Sequence, residues 1–220
     1  MYSFVNCLAQ NTTADDPFRG EQYAFLAFER NSKLLLHWEL GKRNGETAGT
    51  FLQGLKARTS GRFQLTSDGF ASYCGKVENG VAVVFGRDID YGIEMKHYAQ
   101  TPNCGPSRRE NPVVLQWIER IPKIGNPDRS RMTINHMERQ NLNMRLFNRR
   151  FTRKTLGYSK TVRNHRLALA LQIAHYNFCR VHSAIKMTPA QAQGLTDHAW
   201  TVAELLAMAS PVKYPDFAPE

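Results

Sequence analysis

At 220 residues and 42% hydrophobic content, the chain is long enough for one large domain, or a domain with an appendage, of ordinary globular composition. No window approaches about 18 apolar residues, which excludes a membrane-spanning helix, and the opening MYSFVNCLAQ lacks the basic start and long apolar run of a signal peptide. The formal charge of +10 is local: residues 139–196 carry eleven Lys or Arg and no Asp or Glu, while the rest has 18 basic and 19 acidic residues. So concentrated a field points to a polyanion, and above all to nucleic acid. Cys7, Cys74, Cys104 and Cys179 are scattered without a Cys-x-x-Cys pair, and read as reduced thiols of a cytoplasmic protein.

Residues 2–8 form a short apolar run that predicts a strand. Residues 10–21, with Asp15-Asp16-Pro17 and Gly20, predict a polar loop. Two strand-like runs at 23–28 and 33–40 are joined by Glu29-Arg30-Asn31-Ser32, a tight-turn signal. From 46 to 58 the one-sided spacing of Ala48, Phe51, Leu52 and Leu55 predicts an amphipathic helix. A fourth strand at 63–66 ends at Ser67-Asp68-Gly69, with a helix over 70–77 behind it. Residues 81–85 and 89–98 are strand candidates. The Pro- and Gly-bearing segment 100–131 reads as an inserted loop whose hairpin includes Val113 to Ile118. A helix is expected over 135–148, a basic connector over 151–160, and a long helix over 161–184. That last helix should be apolar at Leu167, Leu171, Ala174, Phe178, Val181 and Ile185. Thr188-Pro189 starts a short helix, because proline suits the first helical position; residues 200–209 form the last helix, and a tail begins at 211.

Strands first and helices later make an α/β layer with one mixed sheet: an antiparallel meander, then a fourth strand that can lie parallel to the first. A domain over 1–185 is expected, with short helices and a tail over 186–220. Strand ends in such sheets face the crevice where ligands bind, and Asp68 sits at one. An Asp-Gly turn or a helix N-cap explains Asp68 equally in local terms. Glu138 has a bland explanation as well, since Asn135-His136-Met137-Glu138 fits a capping box. Against it stand the donors that follow at once, Arg139, Gln140, Asn141 and Arg145, suited to phosphate contact. In FNRRFTRK (147–154), Phe147 and Phe151 alternate with Arg149, Arg150, Arg153 and Lys154. Cations neutralise phosphates and aromatic faces stack on unpaired bases; the competing reading is a solvated basic face over two core phenylalanines. His175, Cys179 and His182 share a helix face, but a structural zinc needs a fourth ligand that no spacing supplies.

LTSDGFASY, NHMERQNLNMRLFNRRFTRKT and YNFCRVHSAIKMTPAQAQGLTDHAW together resemble the DDE transposases of bacterial insertion sequences, of the insertion-element-one type. MYSFV, FERNSKLLLHWELGKRNGETA and GNPD fit the same family, so the likeness covers nearly the whole chain. It implies an RNase H-like domain in which Asp, Asp and Glu hold two Mg²⁺ or Mn²⁺ ions for cleavage and strand transfer of DNA. The second Asp falls on Asp68 and the Glu on Glu138. The first belongs just before Tyr2-Ser3-Phe4-Val5, where the sequence starts at Met1, so that carboxylate and the usual N-terminal DNA-reading module are expected to be missing, and the chain as given is expected to be inactive or nearly so. DNA contacts are expected at Arg139, Asn141, Arg145, Arg149, Arg150, Arg153, Lys154 and Lys160. The implied partners are transposon ends and target DNA, with homo-oligomers on DNA, no membrane, and a place on the bacterial nucleoid. Two other readings stay open: a non-catalytic DNA-binding transposase fragment, and a basic RNA-associated protein.

Overall fold

The computed structural model describes residues 1–7, 11–12, 19–74, 80–100, 113–152 and 155–208. Asp15, Asp16, Cys104, Arg153, Lys154 and the expected tail lie outside them. The first strand, β1 (Tyr2–Val5), buries Ser3, Phe4 and Val5. The next two, β2 (Gly20–Phe28) and β3 (Leu35–Gly41), are joined by a turn that Glu29 builds. The Glu29 carboxylate accepts from the Asn31 and Ser32 N–H groups and the Ser32 hydroxyl, and Lys33 takes φ +66°. So short a connection leaves no length for a crossover, and β2 and β3 are antiparallel neighbours in a sheet ordered β1-β2-β3.

Helix α1 (Gly45–Lys56) starts where the Asn44 side chain accepts from the Thr47 N–H at 3.0 Å, and buries Ala48, Phe51, Leu52 and Leu55 as its spacing demands. Strand β4 (Phe63–Ser67) follows, then a single turn, α2 (Ala71–Cys74). The strand expected at 81–85 is instead a helix, α3 (Val81–Phe85), set between Gly80 and Gly86. Val81, Val84 and Phe85 are its buried residues, an i, i+3, i+4 set that a run of five apolar residues conceals from alternation arguments. Strand β5 (Ile89–Gln100) pairs parallel with β4 and antiparallel with β6 (Val113–Ile124). The hairpin read inside 100–131 is therefore formed with β5, and β6 runs on through Glu119, Arg120 and Pro122. The one mixed sheet expected is two sheets, β1-β2-β3 and β4-β5-β6, the second mixed with one parallel pair. The fold class, α/β with helices about a mixed sheet, stands.

Helix α4 (Asn135–Phe147) leads to a 3₁₀ turn at Arg149–Phe151. Helix α5 (Val162–Ala174) is capped by Thr161 and runs into a π-helical turn at His175–Cys179. Its buried side is His165, Leu169 and Ile173; Leu167 and Leu171, taken from sequence as the core stripe, are exposed. Within the LALAL run at 167–171 leucines point to both sides, and the buried stripe opens on His165, so apolar periodicity favoured the wrong side. Helix α6 (Pro189–Ala192) carries a full capping box between Thr188 and Gln191, and α7 (Val202–Met208) closes the described chain. Among the described residues no helix is long and apolar enough to cross a membrane, and Cys7, Cys74 and Cys179 are free thiols.

The chain divides into two compact units. One comprises Met1, 22–26 and 37–143, with an aromatic cluster of Phe25, Phe51, Phe70 and Tyr73 at ring separations of 5.3–6.3 Å. The other comprises 2–21, 27–36 and 144–220. In it the Asn177 amide bonds the Leu35 backbone through both N–H and C=O at 3.0 Å, and the Tyr176 hydroxyl donates to the Lys33 carbonyl at 3.1 Å.

Candidate active site

Strands β4 and β5 run parallel with Ser67 opposite Ile93, the last pair of the ladder. The chain keeps to that register beyond it, since a Cβ on Gly69 would lie 3.1 Å from the Met95 sulfur. Asp68 therefore stands level with Glu94. Alternation puts Gly92, Glu94 and Lys96 on one face of β5, and the approach to α4 covers that face. Gly92 leaves room for Met132, whose Cε would be 2.3 Å from an added Cβ. The Glu94 carboxylate accepts from the Ile134 N–H at 3.2 Å. The Lys96 ammonium donates to Asn135 Oδ1 at 2.8 Å and to the Glu138 carboxylate. One end of the β4–β5 pair thus carries Asp68, Glu94, Lys96 and the first turn of α4 with Glu138.

These carboxylates differ in setting. Glu94 is wholly buried and neutralised by Arg120, whose Nε lies 3.1 Å from Oε2. Glu138 is half-exposed, and its helix begins with Glu138 N–H donating to the Ile134 carbonyl at 2.9 Å. Asn135 is thus inside the helix rather than its cap, its side chain is committed to Lys96, and the capping-box account of Glu138 does not hold. Asp68 is exposed, and its Oδ1 accepts from the Phe70 N–H at 3.3 Å, which realises the turn reading of Asp-Gly. Burial, and then the Asp68 charge, push the Tyr73 hydroxyl far above its ordinary range. Burial also raises Tyr91, whose hydroxyl lies 2.7 Å from Ser67 Oγ, with Asp68 contributing. Both phenols therefore stay neutral beside the carboxylate.

Asp68 and Glu138 offer hard oxygen donors of the kind Mg²⁺ and Mn²⁺ take, and such ions are commonly held by one or two carboxylates with water completing the shell. The chemistry of these donors suits a hard divalent ion, and Glu138 is held by the Lys96 ammonium. Among the described residues no three His, Cys, Asp or Glu side chains gather as a metal cluster; His175, Cys179 and His182 do not converge, and the Cys179 thiol points at the Thr201 carbonyl.

Of the expected DNA-contact residues, Arg139 is exposed on α4, where Asn141 and Arg145 are half-buried. Arg149 and Arg150 are exposed on the 3₁₀ turn, while Phe151 beneath them is fully buried. Phe147 is 65% exposed with the Arg180 guanidinium 4.4 Å from its ring centre, so only one of the two phenylalanines is core. Arg150 donates to Ser159 Oγ at 3.1 Å, and Lys160 lies 4.0 Å from the Tyr158 ring centre. Sequence reasoning passed over Glu94, Lys96 and Arg120. The available signal was the Glu94-Met95-Lys96 alternation, which sets two charges on one strand face; their partners come from segments 26 to 42 residues away. Comparison with family models, curated proteins and solved structures finds no match for this chain.

Proposed function

We propose that this chain is the RNase H-like catalytic part of a DDE transposase of the insertion-element-one type, acting on DNA phosphates with Mg²⁺ or Mn²⁺. The observation that supports the reading is that Asp68's strand end and Glu138's helix start both lie against the same end of strand β5. The motif resemblance and the acid-free basic stretch at 139–196 support it. Asp68 and Glu138 would hold the ion. A divalent ion there would supply Lewis-acid activation of water, or of a DNA 3′-hydroxyl, for in-line attack at phosphorus. Glu94 takes no part in that set; buried and paired, it fixes where α4 begins. Lys96 either guards Glu138 until a cation displaces it or contacts the phosphate once released. Nicking of transposon-end DNA by the chain extended upstream through the family's first Asp should require Mg²⁺ or Mn²⁺ and fall by at least about 100-fold in Glu138→Gln and Asp68→Asn. Mn²⁺ titration by calorimetry should weaken in the same two variants. Nicking that survives both substitutions would remove the catalytic assignment.

One observation favours a second reading, a DNA-binding transposase fragment without chemistry: the Lys96 ammonium already satisfies Glu138. Both readings require DNA binding with a strong salt dependence. Arg150 is tied to Ser159, so the test cluster is Arg149, Arg153 and Lys154. Changing all three to Ala should flatten the log–log salt slope for duplex DNA by about 2–3 units, at about 0.9 per phosphate. An unchanged slope would make the cluster a bystander.

A further inference from the structure

The other end of the same strands carries a second arrangement of charge. An open cavity of about 690 Å³ is lined by Arg62, Arg87 and Lys123, with Ala82, Gly86, Ile124 and Gly125 as its apolar floor. Arg62 is part of its wall rather than a free charge. Its Nε and Nη2 bind the Asp90 carboxylate at 2.9 and 2.6 Å, and its Nη1 donates to the Arg87 carbonyl at 3.0 Å. Asp90 Oδ1 also accepts from the Asn126 N–H at 2.7 Å. The lock depends on Gly125, at φ +66°, where an added Cβ would lie 2.2 Å from Asp90 Oδ1 and 2.6 Å from Arg62 Nη2. Three segments, 62–63, 87–90 and 123–126, are thereby held in fixed register around the cavity.

The side chains of Arg87 and Lys123 have no hydrogen-bond or ion-pair partner among the described residues, and both are exposed. Asp88 does not line the cavity, but its charge acts on Arg62 in the wall. Two uncommitted cations over a rigid, partly apolar floor match an anion with several oxygens. Arginine binds phosphate oxygens in a planar fork, and lysine adds a point charge. We propose that this cavity is a phosphate-binding subsite. The phosphate is that of a DNA backbone or a free phosphate group, since the recognising chemistry is shared. In the DNA case the inference rests on the function proposed above. Six residues of extended chain, about 20 Å, separate Arg62 from Asp68. That span corresponds to about six phosphates of one strand at 3.4 Å of axial rise each, so a duplex reaching both ends would be gripped away from the phosphate under attack.

The test is the Arg87→Ala/Lys123→Ala double variant, whose changes are confined to exposed side chains, with thermal melting as the folding control. For the wild type, inorganic phosphate should shift the Gly86 and Gly125 amide resonances saturably, and the double variant should lose that response. For a short duplex, the log–log salt slope should fall by about 1.8 in the double variant, two contacts at 0.9 each. A reduced slope assigns the subsite to backbone phosphate. An unchanged slope with a lost inorganic-phosphate response assigns it to a free phosphate group. If neither measurement differs between wild type and variant, the subsite does not exist. A wild type that fails to bind any duplex sinks the proposed function, and the phosphate titration still decides the cavity.

Discussion

Lowering the pH from 7 to 4 is expected to cost the protein about 3 kcal/mol of stability through His165 alone. The imidazole is fully buried. Its Nε2 lies 2.8 Å from Ser3 Oγ and its Nδ1 2.9 Å from Ser159 Oγ, joining β1, the connector and α5 within one unit. Arg150 donates to Ser159 Oγ, which leaves the Ser159 hydroxyl proton for Nδ1 and Nε2–H for Ser3. That neutral tautomer satisfies every group, and a second ring proton has no acceptor. The Phe151 ring, its centre 4.5 Å away, adds an apolar wall. Burial and then the Arg150 charge push His165 down to about 4 from an ordinary 6.5. The folded-state pKa is depressed, so the unfolded chain takes up the proton first as pH falls. The contribution is complete above about 6.5, is lost on the way down to about 4, and stays lost below. Urea melts of wild type and His165→Gln across this window should show a pH slope about 3 kcal/mol larger in the wild type. Glu29, Asp90 and Asp128 also titrate low, and exposed His198 shifts the opposite way, but they act alike in both proteins and cancel. Equal slopes would mean that His165 titrates in the fold as it does in the unfolded chain.

Nothing in the sequence around His165 announces this role. It sits between Asn164 and Arg166 in a basic stretch, and its two serine partners are 6 and 162 residues away. Features carried by local spacing read more easily. The helix α1 follows from Ala48, Phe51, Leu52 and Leu55 on one side, and α6 from Thr188-Pro189. Where a segment is apolar on every side, as in 81–85 and the 167–171 stretch of α5, pattern has nothing to select, and tertiary packing decides both the element and its buried face. The extent of β6 was hidden by Glu119, Arg120 and Pro122, residues that look like loop until their pairing with β5 is known. The site shows the same division. Asp68 and Glu138 stand out by motif and context, but the side chains that set their surroundings, Lys96 on Glu138 and Glu94 on the helix start, belong to a strand face.

Arg120→Met should destabilise the protein by about 2–4 kcal/mol, and adding Glu94→Gln should recover more than half of the loss. The Glu94 side chain has no exposed surface, and its charge is answered by Arg120, whose side chain is 38% exposed. Removing the cation strands a carboxylate in the interior, which typically costs about 3–5 kcal/mol; the partial exposure of Arg120 lets water take some of its place. Glutamine at 94 is neutral and of nearly the same shape, and its amide oxygen can still accept from Ile134 N–H. The second change therefore removes the penalty without releasing the start of α4. Glu94→Ala should behave differently, because it leaves the Ile134 N–H with no acceptor and frees the turn that carries Asn135 and Glu138. In that variant Mn²⁺ affinity should fall together with stability, whereas Glu94→Gln/Arg120→Met should bind Mn²⁺ like the wild type. Denaturant melts give the first comparison and calorimetric Mn²⁺ titration the second. Additive losses in the double variant would show that Glu94 and Arg120 do not act as a pair. Unchanged Mn²⁺ binding in Glu94→Ala, in a protein that binds the ion through Glu138, would show that α4 holds its position without the strand.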